Sequence, residues 1–202
     1  MTPFPKSFGT SITVVDITKN YFELFQLPVS CRVDLSLLAE RYRELQKTVH
    51  PDRFAGADDR QQRLAIQYAA YVNEGYETLK SSMARSLYLL ELAGYKVDLE
   101  TNTVMDPVFL MEQMELREAM SEVRDHVDPE AELERMVDEV DEGVEALFGT
   151  YEQLWLIASE EGTEAPARED ALKKAQDTVR KMQFMVKLAA ELEQLESELL
   201  DG

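Results

Sequence analysis

The chain has 202 residues, of which 40 are acidic and 21 basic, giving a formal charge of -19, with one cysteine and 45% hydrophobic content. That apolar share can fill at least one core, so a folded chain of one large or two small domains is expected rather than disorder. The lone Cys31 excludes an internal disulfide framework and any paired-cysteine zinc or redox site, and no apolar stretch approaches the ~20 residues that span a bilayer.

The charge is unevenly placed. Residues 1–94 carry 11 basic and 11 acidic side chains, whereas residues 95–202 carry 10 and 29. The whole excess lies beyond Gly94, which predicts two modules with different partners. Nucleic acid is not an expected partner, because phosphate binding draws on clustered Lys and Arg, and no membrane partner is expected either.

Residues 1–19 hold Pro3, Pro5 and Gly9 and no sustained period, so they read as a loose tail. With Lys6 and Lys19 as their only basic groups, they are expected to be neither a secretory signal nor a mitochondrial transit peptide. Asn20 followed by Glu23 predicts a capping box on a short aromatic helix that stops before Pro28. Asp34 is placed to cap a second helix, with Leu38, Tyr42, Leu45 and Val49 as its buried stripe and Pro51 ending it. A third helix is predicted from about Asp59 to Lys80, with a stripe of Ala65, Ala69, Val72, Tyr76 and Leu79. A fourth runs from about Met83 to Ala93, closed by Gly94.

Residues 95–105 read as a linker. Asp106-Pro107 and Asp128-Pro129 each join a cap residue to a proline at the first helical position. In the second of these helices Leu133, Val137, Val140, Val144, Leu147, Tyr151 and Leu154 form the predicted core stripe, with carboxylates on the outer face. The last helix is expected to follow Pro166 and reach about Leu200, with Leu172, Val179, Met182 and Val186 as its stripe. No alternating strand pattern is evident. The expected fold class is therefore all-α, with four helices in residues 20–94 and a three-helix bundle in residues 106–202.

His50-Pro51-Asp52 is the sharpest local signal. At 100° per residue, Arg43, Lys47 and His50 fall opposite the apolar stripe of the second helix, giving a basic face that ends in a proline-fixed loop. On residues alone, a helix stop with a solvated charged face is the favoured reading. On the fifth helix, Phe109, Leu116, Met120 and Val123 make one core stripe, while Met111, Met114, Glu115, Glu118 and Glu122 share the other side. That second stripe exceeds what the helix's own core needs and suits an adaptable protein-binding patch, unless Met111 and Met114 pack beneath the linker or the first module.

The short aromatic helix, the His-Pro-Asp loop and Asn73-Glu74-Gly75-Tyr76-Glu77-Thr78-Leu79 together resemble a J domain of the DnaJ type. Phe109-Leu110-Met111-Glu112-Gln113-Met114-Glu115-Leu116-Arg117-Glu118 and Asp177 to Leu188 narrow this. With Tyr21-Phe22-Glu23-Leu24-Phe25, Arg85 and Tyr88-Leu89-Leu90, they resemble the HscB family, J-type co-chaperones of iron-sulfur cluster assembly, over residues 20–200. The resemblance implies an N-terminal J domain at 20–94 and a C-terminal scaffold-binding domain at 106–202. It assigns His50, Pro51, Asp52, Arg41, Arg43, Lys47 and Arg53 to contact with a DnaK-type (HscA-like) chaperone whose ATPase the protein stimulates, with Glu40 and Glu44 diluting that surface. It assigns Leu110, Met111, Met114, Glu115, Glu118, Glu122 and Phe184 to an IscU-type iron-sulfur scaffold. Of these, Leu110 points about 100° away from Met111, and Phe184 lies off its helix's stripe.

No cofactor, no metal and no catalytic residue is expected, and the protein is not expected to be an enzyme. His50 and Asp52 sit on one short loop, and the chain has neither G-x-S-x-G nor a phosphate-binding G-x-x-x-x-G-K-[ST] pattern. Asp138 to Gly143 fails as a calcium loop, because Val140 and Gly149 stand where ligands are needed. Other clients for the J domain, or an acidic adaptor without ATPase stimulation, remain as alternatives. A bacterial cytoplasm is favoured over a mitochondrial matrix.

Overall fold

The structure, a computed structural model, describes residues 18–50, 54, 56–98 and 106–200. Among them it forms seven helices and no strand: α1 (Tyr21–Leu24), α2 (Leu35–Val49), α3 (Asp59–Lys80), α4 (Ser82–Leu92), α5 (Pro107–Glu122), α6 (Pro129–Ser159) and α7 (Ala165–Leu200). The all-α expectation holds. A 3-10 turn at Val123–Asp125, which the periodicity does not predict, follows α5. Residues 1–17 of the expected tail and 99–105 of the expected linker lie outside the described residues. No helix among the described residues is long and apolar enough to cross a membrane. Packing divides the chain between Ser81 and Ser82 into two compact units.

In the first unit the local signals operate as written. Asn20 Oδ1 accepts the Glu23 N–H at 2.9 Å and Glu23 Oε2 accepts the Asn20 N–H at 3.1 Å, so both halves of the capping box form. Gln26, at φ 54, takes the left-handed conformation that ends α1, and the Leu27 N–H donates back to the Phe22 carbonyl at 2.8 Å. Asp34 Oδ1 accepts the N–H groups of Ser36 and Leu37 at 2.9 and 3.0 Å, which starts α2. Leu38 and Val49 on α2, and Ala65, Val72 and Leu79 on α3, are buried, while Tyr42, Leu45, Ala69 and Tyr76 are half-buried.

The Asn73 to Leu79 motif acquires a physical account here. Asn73 Oδ1 accepts from the Tyr42 hydroxyl at 3.0 Å and also from the Gln46 amide, and Tyr42 stacks on Tyr76 with ring centroids 4.1 Å apart. Gly75 lies against α1: a Cβ there would stand 2.8 Å from Tyr21 Cδ1 and 3.2 Å from Phe25 Cε2. Any side chain would push α1 off α3.

The second unit begins with α4, which the sequence reading groups with the first module and which packing groups with α6 and α7. Leu89 and Leu90 are fully buried, each burial worth about 1.5–3 kcal/mol. The buried Tyr151 hydroxyl of α6 donates to the Ser86 carbonyl at 2.8 Å, and the buried Arg85 guanidinium lies 5.8 Å from the Phe148 ring centroid. Gly94, at φ 86, closes α4 with the Tyr95 N–H on the Leu90 carbonyl at 2.8 Å.

The 31-residue α6 and the 36-residue α7 form the long pair on which α5 rests. α5 runs parallel to α7: Asp106 pairs with Lys181, Phe109 with Phe184, Arg117 with Glu191 and Arg124 with Glu198, a register held to 74 or 75 residues. The up-down-up bundle predicted from the loop lengths requires this direction. The core of this end comprises Phe109, Val123, Leu133, Met136, Val140, Met185, Leu188 and Leu192. The expected α7 stripe changes face at Met182, since Val186 is 39% exposed and Met185, Leu188 and Leu192 are buried in its place.

Two outcomes follow. Gly75→Ala exchanges a helix-propensity gain of about 1 kcal/mol for an overpacking cost of about 1–3 kcal/mol, so the full gain is not realised and a net loss of up to about 2 kcal/mol is expected in urea unfolding; a midpoint above wild type would contradict the close approach of α1. Asp106 is held below its usual value of 3.8, first by the hydrogen bond from Lys181 and then by that from the Val108 N–H. A depressed carboxyl stabilises the folded chain above its unfolded pKa and loses that contribution as pH falls through the folded value. Asp106→Asn keeps a competent cap and should therefore melt below wild type at neutral pH, with the gap closing on acidification. A gap independent of pH would remove the Lys181 pairing as its cause.

Candidate functional site

The first candidate surface is built by α2. Arg43, Lys47 and His50 are all exposed, on the side away from Leu38 and Val49, as the 3.6-residue period requires. His50 caps the helix with φ -57 and ψ 126, the extended conformation imposed on a residue preceding proline. Pro51, Asp52 and Arg53 lie outside the described residues. Arg41 does not join this face. It projects from the opposite flank, half-buried, with Nη1 3.4 Å from Glu44 Oε2. Its effect on the basic face is therefore indirect, through partial neutralisation of Glu44. Glu40 is exposed beside Lys47 and dilutes the surface as expected.

The second candidate surface is the outer side of α5. Asp106 starts this helix by accepting the Val108 N–H at 3.0 Å, with Pro107 in its first turn. The inner side is spent on the core: Phe109, Gln113 and Val123 are buried, with Leu116 and Met120 packed against them. Met111 and Met114 are left 62% and 71% exposed, turned away from that core. Glu115, Glu118 and Glu122 are exposed beside them, and none of the ion pairs among the described residues involves these three.

The parallel register recovers Leu110, the member of the set that helical angle alone sets apart. Leu110 is 39% exposed and stands seven residues before Arg117, as Phe184 stands seven before Glu191, so the two apolar residues lie at one level along the α5–α7 seam. Phe184 is half-buried, edge-on to Phe109 at 88° with centroids 6.5 Å apart. Leu110, Met111, Met114 and Phe184 thus fall on one side of the bundle, spanning α5 and α7.

Sequence reasoning overlooked two residues here. Val108 is 63% exposed and lies three residues before Met111 and seven before Glu115, a spacing that could have placed it on the same face. Gln113 reads as a surface residue by type, yet it is buried with Nε2 3.1 Å from Met185 Sδ. Elsewhere, α6 runs unbroken through Asp138 to Gly143, and the exposed His126 caps the 3-10 turn, its N–H on the Val123 carbonyl at 3.2 Å.

Comparison with known proteins agrees with this architecture. Residues 105–193 match the family model described as the HSCB C-terminal oligomerisation domain. The Co-chaperone protein HscB homolog of Shewanella baltica (strain OS195) is 46% identical over 182 residues, covering 90% of this chain and 99% of that protein. Its counterpart in Shewanella loihica is 45% identical, covering 89% and 99%. Among solved structures, chaperone HscB from Vibrio cholerae superposes with a TM-score of 0.74 at 38% identity, over 90% of this chain and 99% of that one. Human co-chaperone protein HscB gives 0.74 at 26% identity, over 88% and 82%. With near-complete coverage at this identity, the chain belongs to the HscB family of J-type co-chaperones.

Proposed function

We propose that the protein binds an IscU-type iron-sulfur scaffold on the outer face of α5, delivers it to a DnaK-type, HscA-like chaperone and stimulates that chaperone's ATPase, assisting cluster transfer. The observation that carries the reading is the exposed pair Met111 and Met114, opposite a core stripe that is already satisfied. Methionine is flexible and polarisable, which suits a patch that must fit a partner and release it. Glu115, Glu118 and Glu122 set orientation and exclude acidic competitors, and Leu110 and Phe184 extend the apolar area along the seam.

On the J domain, proposed to span residues 20–94, Arg43 and Lys47 steer the approach to an acidic surface of the chaperone. His50, Pro51, Asp52 and Arg53 form the trigger loop, with Arg41 acting through Glu44. ATP hydrolysis belongs to the partner, so no catalytic group is required in this chain. Both contacts are modest in area, since a co-chaperone acting repeatedly must dissociate. Relatives in Shewanella support a bacterial cytoplasmic setting.

Two measurements test this. Steady-state ATP turnover of the purified chaperone should rise with the wild-type protein and stay near its basal rate with His50→Gln; equal stimulation by both would end the co-chaperone mechanism proposed here. The double substitution Met111→Ala, Met114→Ala should weaken scaffold binding by about tenfold or more while leaving the melting temperature unchanged, because both side chains are exposed. Unaltered affinity would remove the α5 face as the scaffold site.

A further inference from the structure

Beside the methionine face, α5 and α6 leave an open groove of about 610 Å³. Its floor is hydrocarbon, from Leu116, Leu147 and Met185, and its walls are the exposed carboxylates Glu112, Glu115 and Glu139. The floor is deep because residue 143 has no side chain: a Cβ on Gly143 would stand 2.5 Å from Met185 Cε. Gln113 holds Met185 in place at 3.1 Å. Arg135, the one cation on the lining, is already committed, donating to Glu132 at 2.6 Å and to Glu139 at 2.8 Å. The carboxylates of Glu112 and Glu115 take part in none of the ion pairs or side-chain hydrogen bonds among the described residues.

An apolar floor with anionic walls matches one chemistry: the aliphatic stem and terminal cation of Lys or Arg. A small anion is repelled by the walls. A second copy of this unit is the poorer match, since seven of its ten cations after position 94 are already held in ion pairs. Glu115 belongs both to this groove and to the proposed scaffold-binding face, so the two surfaces are continuous.

We propose that the α5–α6 groove receives a Lys- or Arg-bearing aliphatic segment of the scaffold that rests on Met111 and Met114. This inference depends on the α5 face being the scaffold site. The groove then acts as a specificity element, admitting a cationic segment and rejecting a neutral or acidic one.

The test is a calorimetric titration of purified scaffold into the full-length protein, in parallel with sedimentation equilibrium of the protein alone. Glu112→Lys reverses one wall at an exposed position, and Ala119→Leu narrows the groove without changing charge. Each is expected to weaken scaffold binding by about tenfold, and Glu112→Lys should also flatten the salt dependence of the affinity. Wild-type affinity for both variants, together with a loss for Met111→Ala, Met114→Ala, overturns the groove and leaves the face standing. Wild-type affinity for all of them overturns both. A change in self-association with Glu112→Lys, at unchanged scaffold affinity, would identify a second copy as the occupant and likewise overturn the proposal.

Discussion

The second unit depends on one constraint, that α7 must bury two different faces in succession. Over its first half Leu172, Ala175, Val179 and Met182 are buried, and over its second half Met185, Leu188 and Leu192. At 100° per residue these two sets are centred roughly 130° apart. The turn of the buried stripe follows the change of neighbour. α4 packs on the earlier part, where Gln176 Nε2 also reaches the Lys96 carbonyl at 3.3 Å, and α5 packs on the later part. Because α7 is continuous, both docking sites take their orientation from one rigid element. The outer face of α5 can be precise for that reason: the helix presenting it is held by side chains on a partner that is one continuous helix from Ala165 to Leu200.

The acidity of this unit acquires structure when its cations are followed. Seven of the ten basic residues after position 94, namely Arg117, Arg124, Arg135, Lys173, Lys174, Arg180 and Lys181, are engaged in ion pairs within the unit. Exposed pairs of this kind add little stability individually, but three of them tie α5 and the turn after it to α7 or its register. Positive charge is thus consumed internally. What remains for a partner is carboxylate, concentrated on α5 at Glu112, Glu115, Glu118 and Glu122 around two exposed methionines. On α6, Glu139 shares this association as a wall of the α5–α6 groove.

Features governed by short-range geometry were legible in the residues. The Asn20 to Glu23 capping box, the Asp106-Pro107 and Asp128-Pro129 starts, and the stop at Gly94 each depend on a few neighbouring atoms, and all four occur as their spacing implies. The α2 stripe was legible because it keeps one buried side against α3, and the α3 stripe because α1 and α2 both pack on its apolar side. The α7 stripe was not, because periodicity assumes one buried side throughout a helix and cannot announce a second neighbour. Val186 was consequently read as core and Met185 missed. Gln113 shows the converse difficulty: its amide is buried because a sulfur lies across the seam, and nothing within α5 encodes that. On the functional faces, the angle of Arg43, Lys47 and His50 on one helix was readable. The separation of Arg41 from them follows from the same angle, whereas the alignment of Leu110 with Phe184 depends on the parallel register of two helices 74 residues apart.

The division of α5 into an inner and an outer side has a consequence for how such a protein can change. Phe109, Gln113 and Val123 answer to Met185, Leu188 and Leu192 across the seam, so substitution there perturbs packing shared by several residues and is felt as stability. Met111, Met114 and Glu118 touch none of those partners, and substitution there leaves the core unaltered. Stability and recognition are therefore close to independent on this helix, although they alternate residue by residue along it. Glu115 and Leu116 are the point at which independence is weakest. They adjoin in sequence and both border the α5–α6 groove, one from the rim and one from the floor, so an occupant of that groove is read by the binding face and the core together.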